Sequence, residues 1–175
     1  MNPPLIIVLC LVIIFLVVAA VIFVFYKKDP YKKRKSMLTD SENYFYHLLQ
    51  RLVPSGCIII PQPPVIGCFE TKVADRGALN KIISKRFDFA IAVQEQSPDY
   101  PYFTLVTVAV IELDDKSHNR EDRVKRDDFI NKLCESHQLP LLRYKTQTEK
   151  NPIYDEATIQ NDILKAISLY KQYKD

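Results

Sequence analysis

Twenty-two consecutive residues without a charged side chain, LIIVLCLVIIFLVVAAVIFVFY at 5–26, constrain this chain more than any other feature in it. As a helix they span roughly 33 Å, enough for a hydrocarbon core of about 30 Å. A cleaved signal peptide would begin with basic residues and carry a shorter apolar centre before a small-residue cleavage site. The start here is MNPP, with no Lys or Arg. A core helix of a globular protein keeps a polar face toward solvent, whereas this stretch is apolar all round. It reads as a single transmembrane helix over 5–26, preceded by a short tail at 1–4.

The flank sets the orientation. KKDPYKKRK (27–35) carries six basic residues and one acid immediately after the span, against none before it. The positive-inside rule then leaves the N-terminus outside and the C-terminal domain in the cytoplasm, as a single-pass protein of the inner (cytoplasmic) membrane. Residues 27–36 form a basic juxtamembrane linker, which also suits anionic headgroups at about 1 kcal/mol per basic residue. The net charge of +3 comes from this cluster, for without it 18 basic and 20 acidic residues remain, a balance of −2. A domain that is not basic overall does not bind DNA tightly through counterion release, so any nucleic-acid site has to be a local patch. Cysteines 10, 57, 68 and 134 show no CxxC spacing. In a reducing cytoplasm they read as free thiols.

Residues 37–175 have the pattern of one α/β domain. Thr39 with Glu42 three residues on is a capping-box spacing, and Phe45, Leu48, Leu49 and Leu52 supply one apolar face, which predicts a helix over about 40–53. CIIIPQ (57–62) reads as a short buried strand, and a short helix is expected near 76–84. RFDFAIAV (86–93) and FTLVTVAVIELDD (103–115) are the next two strands, joined by the turn EQSPDYP. Helical spacing of Val124, Phe129, Ile130 and Leu133 covers 120–137, LPLLRYK (139–145) is a fourth strand, and a helix closes the chain over 155–173. A mixed four-stranded sheet flanked by helices is the packing this order implies.

Three acids stand where strands are expected. Asp88 lies between Phe87 and Phe89 inside the second strand, in the pattern FDFAI. Glu112 and Asp114 alternate with Leu113 near the end of the third, so a period of two sends both carboxylates to one face and Asp115 to the other. If the second and third strands are neighbours, Asp88 approaches Glu112. Carboxylates brought together repel unless a proton or a cation stands between them. A hard cation such as Mg²⁺ is the usual counterpart, held by one or two carboxylates, waters and substrate phosphate oxygens.

LTDSENYFYHLLQ, KRFDFAIAV, VAVIELDDKSHNREDRVKRDDFINKL and LPLLRYK together resemble an uncharacterised bacterial domain-of-unknown-function family of the restriction-endonuclease-like PD-(D/E)xK superfamily. The likeness covers about 37–146 and is nearest to the branch of very-short-patch repair endonucleases. It implies a core of helix, three mixed strands, helix and strand. It makes Asp88 and Glu112 metal-binding acids and places Asp114, as a metal ligand or water-positioner, third in the ExK motif, where the superfamily usually has Lys. The repair branch also lacks that Lys and is similar to this chain in carrying an acid followed by a downstream His. The resemblance therefore makes His118 the general base or phosphate contact, a role suited to an imidazole titrating near neutrality. Glu42 matches a helix acid facing the site in that branch, and Gln62 stands where many members have a polar residue. Arg123 and Arg126 are supporting candidates for phosphate.

Each residue also has a plain structural explanation. Glu42 can simply close the capping box. His118 can be an ordinary surface histidine and Asp115 with Lys116 a solvated turn. Arg123, Arg126, Asp127 and Asp128 can pair with one another along a helix surface. Asp88 can sit in a buried salt bridge with Arg86 or Arg143. His47 and His137 lack ligand spacing and receive no role. Two functions follow as expectations: a membrane-anchored, cytoplasmic nuclease-like domain hydrolysing DNA or RNA phosphodiesters with Mg²⁺, or a catalytically inactive nuclease-fold module binding nucleic acid or a protein partner.

Overall fold

A computed structural model describes residues 2–25, 31–71, 75–97, 101–114, 121–145 and 154–174, with 24, 25 and 121–126 described by backbone alone. Two compact units divide the chain, 1–37 and 38–175. The first contains α1 (Pro3–Phe25), of which Pro3–Phe23 has a mean hydropathy of 3.8 and buries none of its side chains within the protein. Its length and composition suffice to cross a bilayer, as an anchor or a signal sequence would.

The second unit runs α2 (Asp40–Leu52), β1 (Cys57–Pro61), a 3₁₀ turn at Val65–Gly67, α3 (Arg76–Ile82), β2 (Phe89–Gln96), β3 (Phe103–Asp114), α4 (Glu121–Ser136), β4 (Leu141–Lys145) and α5 (Glu156–Lys174). The four strands form one mixed sheet in the order β1-β2-β3-β4. β1 and β3 flank β2 antiparallel, whereas β4 lies parallel to β3 after the α4 crossover. A parallel partner requires such a crossover, which accounts for a helix between these two strands and a hairpin between the previous two.

Each sheet face carries its own core. Phe45, Leu48 and Leu49 of α2 and Ile159 and Ile163 of α5 pack on Phe89, Ile91 and Ile111. On the opposite face Ile130 and Cys134 of α4 join Val65, Phe69, Ile82, Phe87, Ala90 and Val110. Both clusters are made wholly by residues of the second unit. Within β3 the register slips by one: Ile91 pairs with Ala109 but Ala92 with Thr107, leaving Val108 as a bulge. Val108 and Ala109 consequently face the same core. Beyond the bulge strict alternation resumes, with Ile111 and Leu113 toward α2 and α5 and Val110 toward α4.

The second strand begins three residues later than the sequence pattern suggests, so Asp88 lies just outside β2 rather than within it. The reason is local. The Phe87 amide bonds the Pro63 carbonyl (3.0 Å) and the Asp88 amide bonds Ile111 (3.1 Å), so the chain bends there before the ladder with β1 starts.

Candidate functional site

All four strands bring an end to the same edge of the sheet: the C-terminal ends of β1, β3 and β4 and the N-terminal end of β2. The acids collect there. β2 and β3 pair from Phe89 opposite Ile111. One step farther along that register, Asp88 falls opposite Glu112. With β2 not yet begun, Leu113 has no backbone acceptor beside it, and the Asp88 carboxylate takes that place, Oδ2 accepting the Leu113 amide at 2.6 Å. The side chain thus continues the ladder where the backbone stops, directly between Glu112 and Asp114. Its charge is also felt by Tyr154, whose phenol is pushed up to about 12 by burial first and by Asp88 second. The Tyr154 hydroxyl is buried without a hydrogen-bond partner.

Glu42 and Gln62 join the same group through bonds rather than mere proximity. Glu42 Oε2 accepts the Thr39 amide (2.6 Å) and Thr39 Oγ1 accepts the Glu42 amide (3.3 Å), a complete capping box at the start of α2. Glu42 Oε1 meanwhile accepts Gln62 Nε2 at 3.4 Å. One Glu42 carboxylate oxygen thus closes the cap and the other meets Gln62. Gln62 has φ +48°, a left-handed conformation that is uncommon for a residue with a side chain. The bend lets its amide reach the Asp88 carbonyl at 2.8 Å, which ties the end of β1 to the start of β2.

Glu112 and Asp114 share the α4 side of the sheet, with Val110, by the alternation of β3. Arg143 of β4 stands beside them, in register with Glu112. Its Nη1 donates to Asp114 Oδ1 at 2.9 Å, and Nη2 lies 3.7 Å from Asp127 of α4. Nε and Nη2 of Arg143 are buried without a hydrogen-bond partner. Arg143 was an expected partner for Asp88; its ion pairs here are with Asp114 and Asp127. Cys134 completes this side, its thiol pushed up to about 12 by burial, with the charges of Cys68 and Glu112 adding to the effect. All four cysteines are free.

His118 and Asp115 lie outside the described residues. The backbones of Arg123 and Arg126 belong to α4, and their side chains lie outside the description. Among the described residues, no three His, Cys, Asp or Glu side chains converge as a metal ligand set. Sequence reasoning treated Asp127 as a surface residue and did not single out Tyr154. A cation inside the apolar strand LPLLRYK is the same signal that marked Asp88, and it applied equally to Arg143. Nothing in the sequence marked Tyr154, which stands two residues ahead of α5.

Residues 34–167 match the family DUF2726, described as a protein of unknown function. The chain belongs to the DUF2726 family. The DUF2726 match starts beyond α1 and takes in every residue of the site from Glu42 to Tyr154. No curated protein and no solved structure matches the chain.

Proposed function

We propose that the DUF2726 domain of this chain is a restriction-endonuclease-like module, of the PD-(D/E)xK type and akin to very-short-patch repair endonucleases, that hydrolyses phosphodiester bonds of nucleic acid. α1 is its anchor in the inner membrane, with the N-terminus outside and the domain in the cytoplasm. The observation that carries the reading is the placement of Asp88, one step past the β2–β3 register, opposite Glu112 and bonded to the amide between Glu112 and Asp114. A strand sequence has no packing reason to bring carboxylates to one sheet edge, where each raises the cost of ionising its neighbour. The element order α2, β1, β2, β3, α4, β4 also agrees with the core that the resemblance implies.

Asp88 and Glu112 are the oxygen donors suited to a hard divalent cation, and Mg²⁺ bound there would stabilise charge developing on the phosphate. Asp114, expected as a metal ligand or water-positioner, pairs with Arg143, which supports the positioning role. Glu42 and Gln62 hold the backbone of Asp88 in place through the chain of bonds from the α2 cap. His118 is the proton acceptor or phosphate contact.

One observation favours a second reading, a catalytically inactive module that binds nucleic acid or a protein partner. Arg143 already supplies a cation to the acids on the α4 side. Thermal melting of the full chain in detergent micelles separates the two. Hydrolysis requires that Mg²⁺ or Mn²⁺ raise the melting temperature of the unaltered protein, that Asp88→Asn and Glu112→Gln abolish the rise, and that single- or double-stranded DNA or RNA be cut. If the unaltered protein shows neither a rise nor cleavage, while Arg143→Ala acquires a metal-dependent rise, the arginine has taken the cation's place and the binding module stands.

A further inference from the structure

At the opposite end of β3 a row of backbone groups lacks a neighbour among the described residues. β2 pairs with β3 along its length, but β4 joins only from Val110. The bond from the Ser97 amide to the Tyr102 carbonyl (3.4 Å) establishes the phase of the hairpin ladder. Alternation from there, through the pairs Glu95–Thr104 and Val93–Val106, turns the N–H and C=O of Phe103, Leu105 and Thr107 away from β2. At the other end the Val110 amide bonds the Pro140 carbonyl at 2.9 Å, the first bond of the β4 ladder. Among the described residues, the outward backbone groups of Phe103, Leu105 and Thr107 have no hydrogen-bond partner.

A slot of about 620 Å³ lies along this edge. Ala166 and Tyr170 of α5 wall it on one face of the sheet, Cys68 and Phe69 on the other, and Leu139 and Pro140 close the end nearest β4. It occupies the line that β4 would follow if it began earlier. α4 instead ends in a left-handed residue, Gln138 (φ +54°), and the chain enters the sheet only after Pro140. Phe103 and Leu105 remain 62% and 54% exposed at its mouth.

The occupant follows from these features. Alternating donors and acceptors along an open strand are complementary to one thing, another extended backbone. Walls on both faces admit a single strand, whereas the edge of a second folded copy would have to bring its own α5 into the same space. Phe69 and Cys68 on one face and Ala166 and Leu169 on the other suit apolar side chains on both sides of the guest, while Glu70, His137 and Gln138 add polar groups to the lining. We propose that the Phe103–Val108 edge binds an extended, apolar peptide segment of a partner protein by strand addition, end to end with β4. This surface is separate from the acids at the far end of β3 and does not depend on their chemistry.

The probe is a heptapeptide of alternating valine and isoleucine between terminal lysines, added to the full chain in detergent micelles. Amide hydrogen exchange at Phe103, Leu105 and Thr107 should slow by roughly tenfold or more, and the same peptide N-methylated at alternate residues should give no protection, because its backbone donors are blocked. Leu105→Pro removes an outward N–H that β2 does not use, and should weaken binding about tenfold or more. If that variant does not fold, Leu105→Lys, which keeps the backbone and places a charge in the slot, should do the same. No protection at about 1 mM peptide, or equal protection by the N-methylated form, overturns strand addition. Protection that appears without peptide and grows with protein concentration overturns the peptide guest in favour of a second copy.

Discussion

Asp88 does two jobs with one carboxylate, and they can be separated. It caps the Leu113 amide, and it contributes charge to the acid group at the sheet edge. Asp88→Ala leaves a half-buried donor unsatisfied and should cost about 1–3 kcal/mol in urea unfolding. Asp88→Asn keeps an acceptor for the same amide, so it should retain most of that stability while losing any metal-induced rise in melting temperature. Arg143 answers to the same logic from the other side. Arg143→Ala removes the guanidinium that pairs with both Asp114 and Asp127 and should cost about 1–3 kcal/mol, a loss visible in the unfolding midpoint. Cys134 supplies an independent check on burial in this region. Its thiol, pushed up to about 12, should alkylate roughly tenfold or more slowly than Cys57 at pH 8. Comparable labelling rates for the two would mean that the α4 face is open to solvent.

At the scale of elements, two devices fix the helices over the sheet. The capping box starts α2 where Glu42 can also reach Gln62, so Thr39→Ala should lower stability by about 1 kcal/mol and loosen the Glu42–Gln62 contact with it. The far end of α5 is tied to β2 by Lys174 and Tyr170, both donating to Glu95. Hydrogen bonding from Lys174 first, then Tyr170, holds the Glu95 carboxyl below its ordinary range. A depressed folded-state value means the tether is intact above the ordinary carboxylate pKa and is lost as pH falls through the depressed one. Amide protection factors in the last turn of α5, taken relative to the intrinsic exchange rate at each pH, should therefore fall on acidification below about pH 4, and Glu95→Gln should flatten that response. Much of this layout is legible in the chain itself. Thr39 and Glu42 predict the helix start, and the apolar spacings predict α2, α4 and α5 to within a residue or two. The late start of β2 is not legible, because FDFAI alternates well enough to pass for a strand. Only the bonds from Phe87 to Pro63 and from Asp88 to Ile111 show that the chain is still bending there.

Over the whole molecule the division of labour is plain. Both hydrophobic cores draw on residues from 38 onward, and α1 buries nothing within the protein. The chain shortened to 38–175 should remain in solution without detergent and melt in one cooperative transition, whereas the full chain should need detergent or lipid to stay dispersed. Cosedimentation with vesicles after alkaline washing tests the second half of that statement. The sequence by itself determined the apolar helix, the order of strands and helices and the identity of the acids. Those properties are carried by runs and periods of a few residues, which short-range physics can read. Tertiary structure alone decided that Arg143 pairs with Asp114 and Asp127, that Tyr154 approaches Asp88, and that β4 pairs only with the Val110–Asp114 part of β3. Each of these depends on which strand lies beside which and where a ladder stops, and long-range register is set by the packing of the two cores rather than by any local pattern.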